Sequence, residues 1–200
     1  FDQSESVSYR VNGFFSNLIQ GLILVGLVVL LAVGIRASLV VILAIPISIL
    51  IAIAFVDWSD FGLQQMTIVG LVISLGLLVD NAIVVTENIS RFIKQGMSGF
   101  EAAVKGTSQI AWAIVSATVT TILAFVPIIM MQNITGEFIR GMPVTVVYTL
   151  SASLLVALTL TPYLSSKFIG REKRKHKKYI HNFLNRFIET KYRKSLDYAL

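Results

Sequence analysis

The 200 residues contain no cysteine, so they leave the redox compartment unread. Charge is scarce as well. Only 14% of the residues are Asp, Glu, Lys or Arg, against about 25% in an average soluble domain, while 55% are hydrophobic. The two histidines, His176 and His181, lie in a basic stretch with no acid cluster around them. They offer no metal site, and nothing else in the sequence suggests an enzyme, a catalytic group or a cofactor. A soluble-domain reading is excluded by what replaces the missing charge. Apolar runs of roughly 20 residues recur along the chain, each long enough to cross a hydrocarbon core about 30 Å thick.

Five such runs fall near residues 14–34, 38–56, 62–90, 109–131 and 138–166. The short connections favour antiparallel neighbours, and the expected fold is all-α, a polytopic five-helix membrane bundle over 14–168. Arg36 marks the first turn; Asp57, Trp58, Ser59 and Asp60 make the second with no basic residue. Arg91, Lys94 and Lys105 mark the third, and Glu137 and Arg140 the fourth. A block from Lys167 to Lys178 follows the last run. Lys and Arg mark cytoplasmic loops far more strongly than acids mark the outside. The alternation places the N-terminus outside and the 167–178 block in the cytoplasm, which also accounts for that block without nucleic acid. Ser98 and Glu101 have capping-box spacing and should start a helix before the fourth span. Pro46, Pro127, Pro143 and Pro162 fall within spans or at their ends, where neighbouring helices can satisfy freed carbonyls.

Residues 169–200 differ in kind. Ile180, Phe183, Leu184, Phe187, Ile188, Tyr192 and Leu196 follow helical spacing, with Arg186, Lys191, Arg193 and Lys194 between them. That pattern suits an amphipathic helix on membrane lipid, its basic residues near anionic headgroups. A soluble linker helix is the alternative.

Chemistry concentrates in "LVDNAIVVTENI", residues 78–89. Asp80 lies 11 positions before Arg91, hence about 16 Å inside the basic turn at about 1.5 Å per residue. A charge at the centre of a span costs about 2.5–3.5 kcal/mol on insertion scales, and such residues commonly mark ion or proton paths. Burial favours a neutral carboxyl and a nearby cation favours a charged one, so a carboxyl between the two can load and release a proton. Thr67, Ser74, Asn81 and Asn88 recur every seven residues as one polar stripe, with Asp80 and Glu87 in a row beside it. Asn81, Ser74 and Thr67 would then form a hydrogen-bonded surround, Asn81 holding the carboxylate or its partner cation. Glu87, nearer the interface, reads as solvated or locally paired. No Lys or Arg lies at matching depth in the other spans, so the counter-ion is expected from outside these residues.

These residues resemble a known family. "GLLVDNAIVVTENI" is similar to the fourth transmembrane helix of the RND (resistance–nodulation–division) efflux transporters, especially the multidrug branch. "IRASLVVILAIP", "GMSGFEAAVKGTSQI", "FVP" at 125–127, the Gly136 turn and "ALTLTP" at 157–162 resemble its second cytoplasmic turn with the third helix, the short helix leading into the fifth, and the fifth and sixth helices. The resemblance implies an excerpt: helices two to six of a twelve-helix domain, with 1–13 the tail of an extracytoplasmic porter domain and 169–200 the cytoplasmic-surface helix. It implies a proton-driven exporter of small amphiphilic compounds in the bacterial inner membrane, acting as a homotrimer with a periplasmic adaptor and an outer-membrane channel. Asp80 would be the proton carrier, paired with a lysine of the tenth helix. Multidrug members typically carry two adjacent aspartates, and here the second is Asn81; single-acid branches include metal exporters and protein-export relatives. A Na⁺-coupled or metal- or lipid-exporting relative, or a membrane scaffold that transports nothing, are the competing readings.

Overall fold

The computed structural model describes residues 34–59, 62 and 64–169, together with residues 13, 16, 19–21, 23–24, 26–28 and 30. Their regular structure is entirely α-helical: α1 Ile35–Trp58, α2 Gln65–Lys94, α3 Gly99–Ile129, α4 Ile134–Ile139, α5 Gly141–Leu158 and α6 Leu160–Phe168. Four helical stretches are long and apolar enough to span a membrane, namely Ile35–Trp58, Gln65–Lys94, Gly99–Ile129 and Gly136–Phe168. They overlap the apolar runs near 38–56, 62–90, 109–131 and 138–166, and the chain is a multi-pass membrane protein. Within the first expected span the described residues between 19 and 28 are helical. The segments read as a porter tail and as an interfacial helix lie outside the described residues, apart from Gly13 and Ile169.

Local signals explain the boundaries. Ser98 caps α3 as its spacing suggested: its Oγ accepts from the Glu101 amide at 3.3 Å, and Glu101 Oε2 accepts from the Ser98 amide at 3.4 Å. The helix so started does not stop before the span. From Gly99 to Ile129 it is a single 31-residue helix, so the short leading helix is simply its first turns. Within those turns Gly106 is packed against Ile89, where an added Cβ would come within 3.1 Å of the Ile89 Cα. At the end of α2, Gly96 adopts φ +101, a left-handed conformation that costs glycine little. Its amide bonds to Ile93 O at 3.0 Å and that of Met97 to Phe92 O at 3.3 Å. This is the Schellman pattern. The last span is broken at Thr159, because Pro162 has no N–H for the carbonyl of Leu158 and its ring crowds that position.

The chain crosses back and forth, so the start of α1, the end of α2, the start of α3 and the end of α6 share one end of the bundle. Arg36, Arg91, Lys94, Lys105 and Lys167 all lie there, and we call it the basic end. α5 packs against α1, α2 and α3. Lipid tails give helices no hydrophobic reason to associate, so close approach must do it. At Gly70 the approach is closest, since a Cβ there would sit 2.6 Å from the Met142 carbonyl oxygen and 2.9 Å from Thr145 Cβ. Gly141 faces Met66 and Thr67 in the same contact. Further along, Val85, Ile89 and Phe92 of α2 meet Ala102, Ala103 and Ile114 of α3 and Ala157 of α5.

Gly70→Ala therefore pushes α2 off α5. In the full-length protein it is expected to cost about 1–3 kcal/mol, the usual range for overpacking, seen as an earlier midpoint in heat- or detergent-induced unfolding. An unchanged midpoint would mean that the two backbones do not meet there.

Candidate functional site

Asp80 lies at the middle of the 30-residue α2. Residues 3.6 to a turn put Val69, Ile73, Leu77, Asp80, Val84 and Glu87 on one face, and every one of them is exposed. The carboxylate thus sits in an apolar, unpartnered stripe on the outside of these helices. It makes no hydrogen bond or ion pair among the described residues. Arg91 is three turns away, about 16 Å along the axis.

Asn81 is placed differently from what the sequence reading expected. One residue on means a rotation of about 100° around the helix, and that rotation turns Asn81 inward, away from Asp80. Its Nδ2 donates to Ser153 Oγ at 3.4 Å, and its Oδ1 accepts from Thr118 Oγ1 at 3.5 Å. Ser153 Oγ in turn donates to the carbonyl of Leu78 at 2.7 Å. The amide is the node at which α2, α3 and α5 join, and what it holds is the rotation of α2. The contacts of Asn81 itself are long, so the junction fastens the helices gently.

The rest of the expected surround also faces inward. Ser74 is fully buried and donates to Leu71 O at 2.9 Å, and Thr67 donates to Gln64 O at 2.7 Å, both within their own helix turn. Asn88 binds the carbonyl of Gly106 at 2.7 Å and Gln109 Oε1 at 3.2 Å. Gln109 Oε1 also accepts from Arg91 Nη2 at 3.3 Å. Within the stripe at intervals of seven, Asn81 and Asn88 tie α2 to α3, while Thr67 and Ser74 bond to their own turn. Glu87 shares the outward row of Asp80 two turns toward the basic end. Sequence reasoning missed Ser153 and Thr118. For Ser153 a signal was present: Thr145, Thr149 and Ser153 recur every four residues, which puts them on one face of α5, and all three are buried.

A double-mutant cycle tests the junction. Asn81→Leu and Ser153→Ala in the full-length protein are expected to show a coupling of about 0.6 kcal/mol, the average for hydrogen bonds between membrane helices. Additive unfolding free energies would remove Asn81 from the junction.

The chain matches the AcrB/AcrD/AcrF family over residues 1–200. It is 35% identical over 170 residues to an uncharacterized transporter of Haemophilus influenzae, covering 84% of this chain and 16% of that protein. It is 31% identical over 148 residues to the multidrug resistance protein MdtC of Photorhabdus laumondii subsp. laumondii, covering 74% of this chain and 14% of that one. The chain thus spans about one-sixth of the length of these curated relatives. An intramembrane acid on an outward helix face, within a bundle of apolar spans, accords with that match over the whole chain: the chain belongs to the AcrB/AcrD/AcrF family of RND transporters.

Proposed function

We propose that these helices form the proton-translocating part of a proton-coupled RND exporter, with Asp80 as the intramembrane proton carrier. The observation that carries this reading is the position of Asp80. It is a carboxylate at mid-helix, on a face otherwise made of Val69, Ile73, Leu77 and Val84. A charged group in that setting is too costly to leave facing hydrocarbon. It calls for a second protein surface bearing a cation, and in the resemblance that surface is the tenth helix with its lysine. A carboxylate between two rigid helix surfaces, with a cation that moves relative to it, exchanges a proton as the two surfaces shift. Asn81 takes no part in that exchange; it keeps Asp80 turned toward the facing surface.

The cargo we propose is small amphiphilic compounds, on the strength of the similarity to the multidrug resistance protein MdtC. A bacterial inner-membrane location, a homotrimer, a periplasmic adaptor and an outer-membrane channel belong to the same proposal and rest on the family. A Na⁺-coupled variant finds less support. Its oxygen set would be Asp80 with Asn81 and Ser74, and those two side chains bond instead to Ser153, Thr118 and Leu71 O.

The test uses the full-length protein in proteoliposomes under an imposed pH gradient. Asp80→Asn is expected to abolish gradient-driven transport while the protein still inserts, assembles and binds cargo. Asn81→Leu is expected to leave a substantial part of the rate. Undiminished transport by Asp80→Asn would end the proton-carrier reading, and transport that follows sodium at fixed pH would replace the coupling ion.

A further inference from the structure

Among the described residues, most hydroxyls that make a hydrogen bond make it within their own helix. Ser48, Ser74, Thr145, Thr149 and Ser151 each donate to a carbonyl three or four residues back, at 2.7–2.9 Å. The buried ones left without any partner gather toward one end of the bundle. Among the described residues, the buried hydroxyl oxygens without a hydrogen-bond partner are those of Thr86, Thr107, Thr161 and Ser165, and the only other buried side-chain polar atom without one is Arg36 Nη1. Thr86, Thr161 and Ser165 are no more than 1% exposed.

All five groups belong to α6 or to the helices that α6 touches. Thr161 and Ser165 are the two buried residues within α6. They continue by steps of four the row begun by Ala157, which packs on Val85, Ile89, Ala102 and Ala103. Thr86 lies one turn beyond Ala82, which packs with Val156 and Leu160 at the α5–α6 break. Thr107 follows Gly106, whose backbone lies against Ile89. Arg36 is the second residue of α1. α6 packs on α1, α2 and α3 together. On each helix the groups stand within eight residues of the basic end, about 12 Å at 1.5 Å per residue. So the inner face of α6 is built of hydroxyls, and the helices it packs on carry further unmet groups near the same end, the one that the basic residues assign to the cytoplasm.

We infer that α6 is a hinged cover over a crevice that admits water from the basic end. In the closed arrangement the helices offer these donors no protein partner, which is costly in a low-dielectric interior. Water entering the seam supplies those partners, and a hydroxyl accepts or donates to it equally well. The seam is flanked by the small residues Ala102, Ala103, Gly106 and Ala157, with Val85, Ile89 and Phe92 in the same cluster. The hinge is the Thr159 break, where Pro162 removes the helical bond that would hold α6 in line with α5. This inference is independent of whether Asp80 carries a proton.

Residues 1–200 hold no cysteine, so introduced thiols report cleanly. In a full-length protein free of other cysteines, Thr86→Cys, Thr161→Cys and Ser165→Cys are compared with Thr145→Cys and Thr149→Cys. All of these positions are buried, and the last two carry satisfied hydroxyls. The probe is a small, membrane-impermeant cationic methanethiosulfonate added from the cytoplasmic side; it reacts with the thiolate, which forms in water. Cysteines at 86, 161 and 165 are expected to react at least tenfold faster than those at 145 and 149. Pro162→Ala, which restores the missing N–H, is expected to slow the reaction at 86 and 161. Equal rates at all five positions would overturn the crevice. Reaction at 165 alone would reduce it to fraying of the helix end. Unchanged rates in Pro162→Ala would overturn the hinge.

Discussion

The close approach of α2 to α5 governs the rest of this structure. In lipid, burying one apolar side chain against another gains little over leaving it among acyl tails, so helices associate where backbones can touch and polar groups can pair. Gly70 against Met142 and Thr145 provides the touch, and Ser153 bonding to Leu78 O provides the pair about two turns on. Two contacts along one seam fix not only the distance between the helices but the rotation of α2 about its axis. Once that angle is set, Asn81 must look inward and Asp80 outward. The neighbouring acid and amide are separated in role by a single step of the helix.

That division changes the meaning of the polar stripe. Thr67, Ser74, Asn81 and Asn88 read as a surround for the carboxylate while α2 is considered alone. In the bundle they bond to their own helix or reach α3 and α5, which is what polar residues on a buried face do where water is absent. Asp80 has the opposite surroundings, an apolar row of Val69, Ile73, Leu77 and Val84. A lone acid there makes sense only as half of an interface. An Asn in place of a second acid is consistent with this arrangement, because the position serves the junction rather than the outward face.

The basic end is built with looser rules. Elsewhere many hydroxyls back-bond to their helices. Around α6 the hydroxyls are buried and unmet, and the helix carrying two of them is detached from α5 at Thr159. Movement of α6 about Thr159 would leave the core in place, because Asn81 and Ser153 fasten the bundle at mid-depth and Asn88 ties α2 to α3.

Much of this was legible in the sequence, and the reason is physical. Hydrophobic length, capping spacing and proline position act locally, so the all-α class, the four long apolar helices and the Ser98 cap could be read directly. The short helix expected before the fourth span was misread because nothing in 99–109 distinguishes a separate helix from the first turns of a longer one. The partners of Asn81 and the unmet donors around α6 were out of reach. Ser153 is 72 residues from Asn81, and periodicity places a residue on a face without saying which face meets another helix. The sequence by itself determined that a carboxylate lies midway along an apolar helix long enough to span a membrane. Only the tertiary structure decided which way it points, because the rotation of a helix is set by what its neighbours allow to touch.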